Sequence, residues 1–339
     1  VSLKKFIALF VGSAFYYSGA FNAFRSWNNR SGRRLTILTY HRVTHRPVDE
    51  IEESLPYLFV NAYTFEKQLI FLKEHYNIIG LRDLENCRDN KSLPRNSLLI
   101  TFDDGYEDTF ATAYPILLKH NIPFGVFLSV EWLGKREVPW WDEMYFRLKS
   151  IESAELDGSI QRLNGLARWI FKMFKRNSSN LFAKLNNWEK ERIERVLDSM
   201  SEFNDRHGVL QSHNRPLRWE MAKEMLGLGE FGSHGYSHES LVTLDVEEVR
   251  TEALRSKKEL EDRLGREVIT FCYPSGKHSE MVKRVIGESG YAWALTQDKG
   301  INDLKDRYAL KRINIGEGSG NVRWGRFSAA LFALRVAGL

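Results

Sequence analysis

Cysteine is nearly absent from this 339-residue chain: Cys87 and Cys272 stand alone with no paired spacing. A disulfide framework and a thiolate metal site are therefore both excluded, and any metal must be held by oxygen and nitrogen. Internal repeats and low-complexity tracts are also missing, which removes a solenoid. Acid is absent from residues 1–48, whose lysines and arginines carry +8 and leave the rest of the chain at −3 of the overall +5. The basic charge gathers at one terminus without aromatic interleaving, so no nucleic-acid partner is indicated. Long apolar runs are lacking apart from the charge-free stretch Phe6 to Phe24, flanked by Lys4, Lys5 and Arg25. Gly12, Gly19, Ser13, Ser18 and Asn22 dilute it, and its length is borderline for crossing a bilayer. A membrane contact is expected there; an uncleaved anchor, an interfacial helix, a signal peptide and a helix docked on the protein core all remain open.

What is present is an apolar content of 43%, enough for a substantial core, in a chain long for one average domain and short for two large ones. Strand-like segments alternate with helix-like ones, as in a parallel sheet wrapped by helices. The strands are expected at Leu35 to Thr39, Ser97 to Phe102, Phe124 to Val130, Glu230 to Ser233, Val268 to Cys272, Ala292 to Thr296 and Arg312 to Ile315. Phe65, Leu69, Leu72 and Tyr76 repeat at helical spacing, and Val246 to Leu264 follows an Asp245-x-x-Glu248 capping signature and ends at Gly265. The expected organisation is an apolar and basic membrane-associated segment (1–34), the first part of a barrel (35–130), a helical insertion (131–218), the second part of the barrel (219–316) and an amphipathic C-terminal segment (317–339). In that last segment Trp324, Phe327, Leu331 and Leu334 share one helical face.

The chemistry sits at strand ends. Asp103 and Asp104 close one apolar strand, and His234, followed four residues later by His238, closes another; His41 and Tyr273 each lie just past a further strand. In a β/α barrel these ends converge on one rim. One Asp and two His can hold a divalent metal with a position open to water, which leaves the other Asp to move protons. Metal-assisted hydrolysis is the reaction class expected, with the Tyr273 backbone N–H as an oxyanion donor and His41 as the acid that protonates a departing amine. Zinc fits the ligand types, and cobalt or nickel also suit them. Trp140 and Trp141 are candidates for stacking on sugar rings, although aromatic residues at element ends also serve packing.

Thr101-Phe102-Asp103-Asp104-Gly105 together with Ser233-His234-Gly235-Tyr236-Ser237-His238 resembles the first two motifs of the polysaccharide deacetylases, the NodB-homology group of carbohydrate esterase family 4. The resemblance implies an α/β fold, a distorted (β/α) barrel, here with a helical insertion and an N-terminal apolar helix. It also implies removal of acetyl groups from sugar polymers. By motif, Asp103 corresponds to the general base, and Asp104, His234 and His238 to the metal ligands. Leu38 to Val43, carrying Tyr40 and His41, resembles the branch acting on exopolysaccharides such as poly-N-acetylglucosamine, in which the His is the general acid; Phe271 to Gly276 resembles that branch's third motif. The chain departs from the chitin and peptidoglycan branch, which has an Arg in the third motif and a late catalytic His, and it has Gly235 where Ser or Thr usually follows the first ligand. Arg312 is a candidate replacement for the missing guanidinium and a candidate substrate contact. The implied partner is an acetylated polysaccharide or oligosaccharide, and the implied place is the bacterial cell envelope at a membrane, on either face. An O-acetyl esterase and a noncatalytic glycan-binding protein are the competing functions.

Overall fold

A computed structural model describes residues 3–28, 34–87, 93–135, 138–153, 163–203, 210, 213–322 and 326–339. Trp324 and the side chain of Cys87 lie outside the described residues. The strands are β1 (Leu35–Tyr40), β2 (Arg42–Thr44), β3 (Phe59–Asn61), β4 (Asn77–Ile79), β5 (Ser97–Phe102), β6 (Phe124–Leu128), β7 (Gly229–Ser233), β8 (Thr270–Cys272), β9 (Trp293–Leu295) and β10 (Ile313–Asn314).

The main sheet is parallel throughout, in the order β10-β1-β5-β6-β7-β8-β9. Its longer strands β1, β5 and β6 are buried at every residue, as expected where helices cover one face and packed side chains the other. The second edge of β5 is divided: β4 pairs with its first half and β6 with its end. Beyond β9, Leu310 bridges Leu295 while β10 pairs with β1, so this segment closes the ring. The distorted barrel is therefore observed, and all seven strands expected from the sequence are present. The three-residue strands β2, β3 and β4 are additions; β2 and β3 form a small parallel pair of their own.

The outer helices follow their local signals. The helix Val246–Leu264 starts with a complete Asp245/Glu248 capping box and stops at Gly265, whose φ of 63° is left-handed. The helix Ala62–His75 buries Phe65, Leu69 and Leu72. Within residues 131–218 the helices Trp140–Ser153, Gly165–Arg176, Ser178–Leu185 and Lys190–Asp198 build a second apolar cluster. Ile51, Leu55, Leu58 and Phe59 complete that cluster, so the segment shares its core with the loop after β2.

The N-terminal run folds as two helices, Leu3–Tyr17 and Ala20–Asn28, bent by 68° at their junction. No single helix among the described residues is long and apolar enough to cross a membrane. Phe21 is buried against Phe71 and His75. Gly12 lets the first helix approach the C-terminal helix Ala329–Val336 closely, since a Cβ there would lie 3.0 Å from the Ala330 carbonyl oxygen. Ile7, Phe10, Val11 and Tyr17 nonetheless remain exposed.

Candidate active site

The ends of β1, β5, β7 and β8 bring the expected residues together. The Asp103 N–H donates to the Tyr40 carbonyl (3.1 Å) and the His234 N–H to the Leu128 carbonyl (2.9 Å), which prolongs the sheet bonding one residue past each strand. The chain then turns sharply: Asp104 (φ 72°) and His238 (φ 63°) both adopt left-handed backbone, a conformation that costs a non-glycine residue of order 1–3 kcal/mol and collects at functional sites. Gly105 (φ 89°) is required at its place, because a Cβ would come within 2.8 Å of Leu128.

Asp104 Oδ1 lies 3.5 Å from His234 Nε2 and 3.4 Å from His238 Nε2. Tetrahedral coordination with bonds of about 2.0–2.1 Å spaces ligand atoms about 3.3–3.4 Å apart, so these donors fit a single divalent cation. Their supports fit as well. His234 Nδ1 is 2.8 Å from the Cys272 carbonyl oxygen, an arrangement that fixes the ring and leaves Nε2 for a metal. Glu252, from the helix Val246–Leu264, accepts the N–H groups of Tyr236 (2.8 Å) and Ser237 (3.0 Å) and so holds the turn that joins the two imidazoles. Gly235 (φ 79°) sits in that turn with Glu252 3.2 Å from where its Cβ would be, which accounts for glycine in place of the usual hydroxyl residue.

Asp103 lies one layer deeper and is fully buried. Arg312 grips it with two parallel hydrogen bonds, Nη1 to Oδ1 at 2.7 Å and Nη2 to Oδ2 at 2.8 Å, while Arg312 Nε donates to the Thr296 carbonyl. Burial acts to raise the Asp103 carboxyl, but Arg312, His234 and His41 outweigh it and hold the group below the usual carboxylate range. Burial likewise opposes the charge on Asp104, and the two imidazole hydrogen bonds overcome it, leaving that carboxyl well below its ordinary value. Asp103, His234 and Cys272 also converge. They make no second metal site, since both Asp103 oxygens are engaged by Arg312 and Cys272 Sγ is 3.9 Å from each of them.

His41 Nε2 is 3.9 Å from Asp103 Oδ2. His41 lines a cavity of about 450 Å³ together with Asp104, His234, His238, Trp141 and Tyr57. Trp141 packs on His238, ring centres 4.5 Å apart, and its indole N–H donates to Tyr106 Oη (2.7 Å). Tyr106 in turn donates to Asp142 (2.7 Å), which Ser54 also bonds. Burial pushes the Asp142 carboxyl up to about 7, against the pull of Arg42.

Two expectations are corrected. The Tyr273 N–H donates to the Leu295 carbonyl (3.0 Å), and its hydroxyl to the Tyr308 carbonyl; the backbone donor is committed to β9 and is no free oxyanion group. Arg312 is 1% exposed, which corrects its expected substrate contact, while its double hydrogen bond to Asp103 matches the other expectation, a replacement for the missing guanidinium. Of the two tryptophans, Trp141 stands at the Asp104–His234–His238 cluster, whereas Trp140 stacks on Phe182 and lines a neighbouring cavity. Sequence reasoning missed Tyr57, Glu252 and the Tyr106–Asp142–Ser54 network; a lone Tyr or Glu at those positions carries no pattern of its own.

A sequence model described as polysaccharide deacetylase matches residues 90–163 and 171–294, more than half of the chain. The chain belongs to the polysaccharide deacetylase family. A Bacillus subtilis (strain 168) protein assigned as a polysaccharide deacetylase, YxkH, is 21% identical over 301 residues, 87% of this chain and 76% of that protein. The poly-β-1,6-N-acetyl-D-glucosamine N-deacetylase of Staphylococcus aureus (strain N315) is 31% identical over 98 residues, 29% of this chain and 31% of that enzyme. Among solved structures, IcaB of Ammonifex degensii superposes with a TM-score of 0.56 at 19% identity, covering 89% of this chain and 97% of that one. The Streptococcus pyogenes deacetylase PplD, solved with acetate, gives 0.56 at 19% identity over 84% and 94%; both likenesses concern the fold. The deacetylase is a hydrolase, and the shared fold is the frame on which its own side chains are arranged.

Proposed function

We propose that this deacetylase removes N-acetyl groups from N-acetylhexosamine units of an envelope or extracellular polysaccharide, or of its lipid-linked precursor, with a divalent metal held by Asp104, His234 and His238. The observation that carries the reading is the pairing of a three-donor cluster of metal-compatible spacing with a second, guanidinium-clamped carboxylate beside it. A cation at the cluster, most simply zinc, supplies Lewis acidity toward an acetyl carbonyl and acidifies water. Asp103, kept ionised and oriented by Arg312, accepts the proton of the attacking water. His41, exposed to the cavity, delivers a proton to the nitrogen, because an amide anion is too poor a leaving group to depart unprotonated. The products are acetate and a hexosamine ammonium. Poly-N-acetylglucosamine is the first polymer to test, since the staphylococcal relative is named for that substrate.

Purified protein should release acetate from N-acetylglucosamine oligomers, lose that activity to a chelator and regain it on zinc, cobalt or nickel addition. Release from O-acetylated glycans alone would make the protein an esterase. Absence of release from every acetylated glycan, with metal present, would leave a glycan-binding protein.

We further propose that the N-terminal helices rest on an anionic lipid surface and keep the deacetylase at the envelope. Phe10 and Tyr17 project aromatic rings from a terminus whose residues 1–34 carry six basic residues and no acid, the combination that favours interfacial binding. Sedimentation with phosphatidylglycerol vesicles, lost on Phe10→Glu with Tyr17→Glu, supports this reading; unchanged sedimentation of the double variant overturns it.

A further inference from the structure

A second cavity of about 710 Å³ adjoins the first and shares Trp141, Asn186, His238 and Ser275 with it, so the two form one groove that passes the metal cluster. Such a groove accommodates a chain on both sides of the unit being hydrolysed. The second arm differs from the first in charge. Glu189, Glu191, Glu194 and Glu239 line it without an ion-pair partner among the described residues, and Lys190 is its only lysine or arginine. Lys190 lies 3.6 Å from yet another acid of the same wall, Glu131. An independent observation marks the same arm as a place for a polar ligand. Ser240 lines it, is 8% exposed, and its hydroxyl has no hydrogen-bond partner, although a buried hydroxyl is normally satisfied. Trp188 and Trp140 also line the arm, but their rings are engaged within the fold, Trp188 by Arg192 and Trp169 and Trp140 by Phe182.

The chemistry of the reaction supplies a fitting ligand. Hydrolysis turns each neutral acetamido group and one water into a hexosamine ammonium and an acetate, so a polymer that has been partly processed carries positive charges along its length. We propose that the acidic arm binds already deacetylated hexosamine units of the same polymer and so presents the adjoining acetylated unit to the metal cluster. The preferred substrate is then a partly deacetylated glycan, and new deacetylation is directed next to old. This inference rests on the N-deacetylase reading above.

The test uses β-1,6-linked glucosamine pentamers: fully acetylated, deacetylated at one terminal unit only (each end in turn), and fully deacetylated. KM for acetate release should be about threefold to tenfold lower for one of the two singly deacetylated pentamers than for the fully acetylated one, in keeping with one or two partly exposed ion pairs. That advantage should vanish in 0.5 M salt, where exposed charges are screened, and in the Glu191→Gln, Glu239→Gln double variant. Calorimetric binding of the fully deacetylated pentamer to chelator-treated protein gives a readout that does not depend on turnover. Equal KM values for all acetate-releasing pentamers, with no calorimetric binding, overturn the arm while leaving deacetylation intact. Salt-sensitive binding that the double variant loses, in a protein releasing no acetate, supports the arm and sinks the N-deacetylase reading. Displacement of the pentamer by spermine at equal concentration also overturns the proposal, since it reduces the arm to a general cation surface.

Discussion

Replacing Arg312 by Gln tests how Asp103, the proposed base, is kept ionised. Both side chains of the Arg312–Asp103 pair are fully buried and joined by two hydrogen bonds of 2.7 and 2.8 Å. Removing one member of such a pair leaves a buried charge uncompensated and destabilises a protein by about 3–5 kcal/mol. The Asp103 carboxyl can relieve that penalty by taking up a proton. An opposite charge at contact lowers a carboxyl by about 1–3 pKa units, worth about 1.4–4 kcal/mol at 1.36 per unit, so the two magnitudes agree. The sign is fixed by burial, which raises Asp103 and is then opposed only by His234 and His41. In Arg312→Gln the acid limb of kcat/KM, measured by acetate release at saturating metal, should therefore move to higher pH by at least about one unit. Arg312→Lys restores the charge but not the fork, and should fall between. Urea unfolding of both variants gives the stability loss separately. An acid limb that stays in place in Arg312→Gln, in a protein that still binds zinc, would refute the assignment of Arg312 as the group that holds the base.

Asp103→Asn should retain zinc and lose at least about 10²-fold in kcat, whereas His234→Ala and His238→Ala should lose zinc as well, read by calorimetry beside acetate release. Glu252→Gln loosens the turn between the two imidazoles and should weaken zinc binding by about 10- to 100-fold. His41→Asn should depress hydrolysis of N-acetyl amides more than of O-acetyl esters, because an alkoxide departs more readily than an amide anion; equal losses would remove His41 as the acid. Because the Asp103 and Asp104 carboxyls lie below their ordinary values in the folded protein, their contribution to stability is complete above the unfolded value of about 3.9. It is lost only as pH falls through the depressed folded values, which urea titration at stepped pH will show as a late acid transition.

The barrel strands could be read because each is a short apolar run ending in a turn, and the site because Asp103-Asp104 and His234-x-x-x-His238 fall at two of those ends. The strands β2, β3 and β4 escaped because three residues are too few to display alternation, and their pairing depends on partners elsewhere in the chain. Arg312 was legible as a candidate guanidinium for Asp103 but equally as a substrate contact: it meets Asp103 across 209 positions of sequence, and a lone arginine before a strand looks the same whether it faces substrate or a buried carboxylate. Tyr273 shows the opposite error. Its place after β8 suggested a free donor, but sheet pairing with β9 continues one residue further and takes the N–H. Phe6 to Phe24 was ambiguous by composition, and the fold divides it, burying Phe21 while exposing Phe10.

Zinc-edge anomalous scattering from crystals of the zinc-loaded deacetylase bears most directly on the central claim. One peak is expected within about 2.0–2.2 Å of an Asp104 oxygen and of Nε2 on both His234 and His238, with Asp103 still clasped by Arg312. A peak elsewhere, or none at this trio while the protein releases acetate, would contradict that claim.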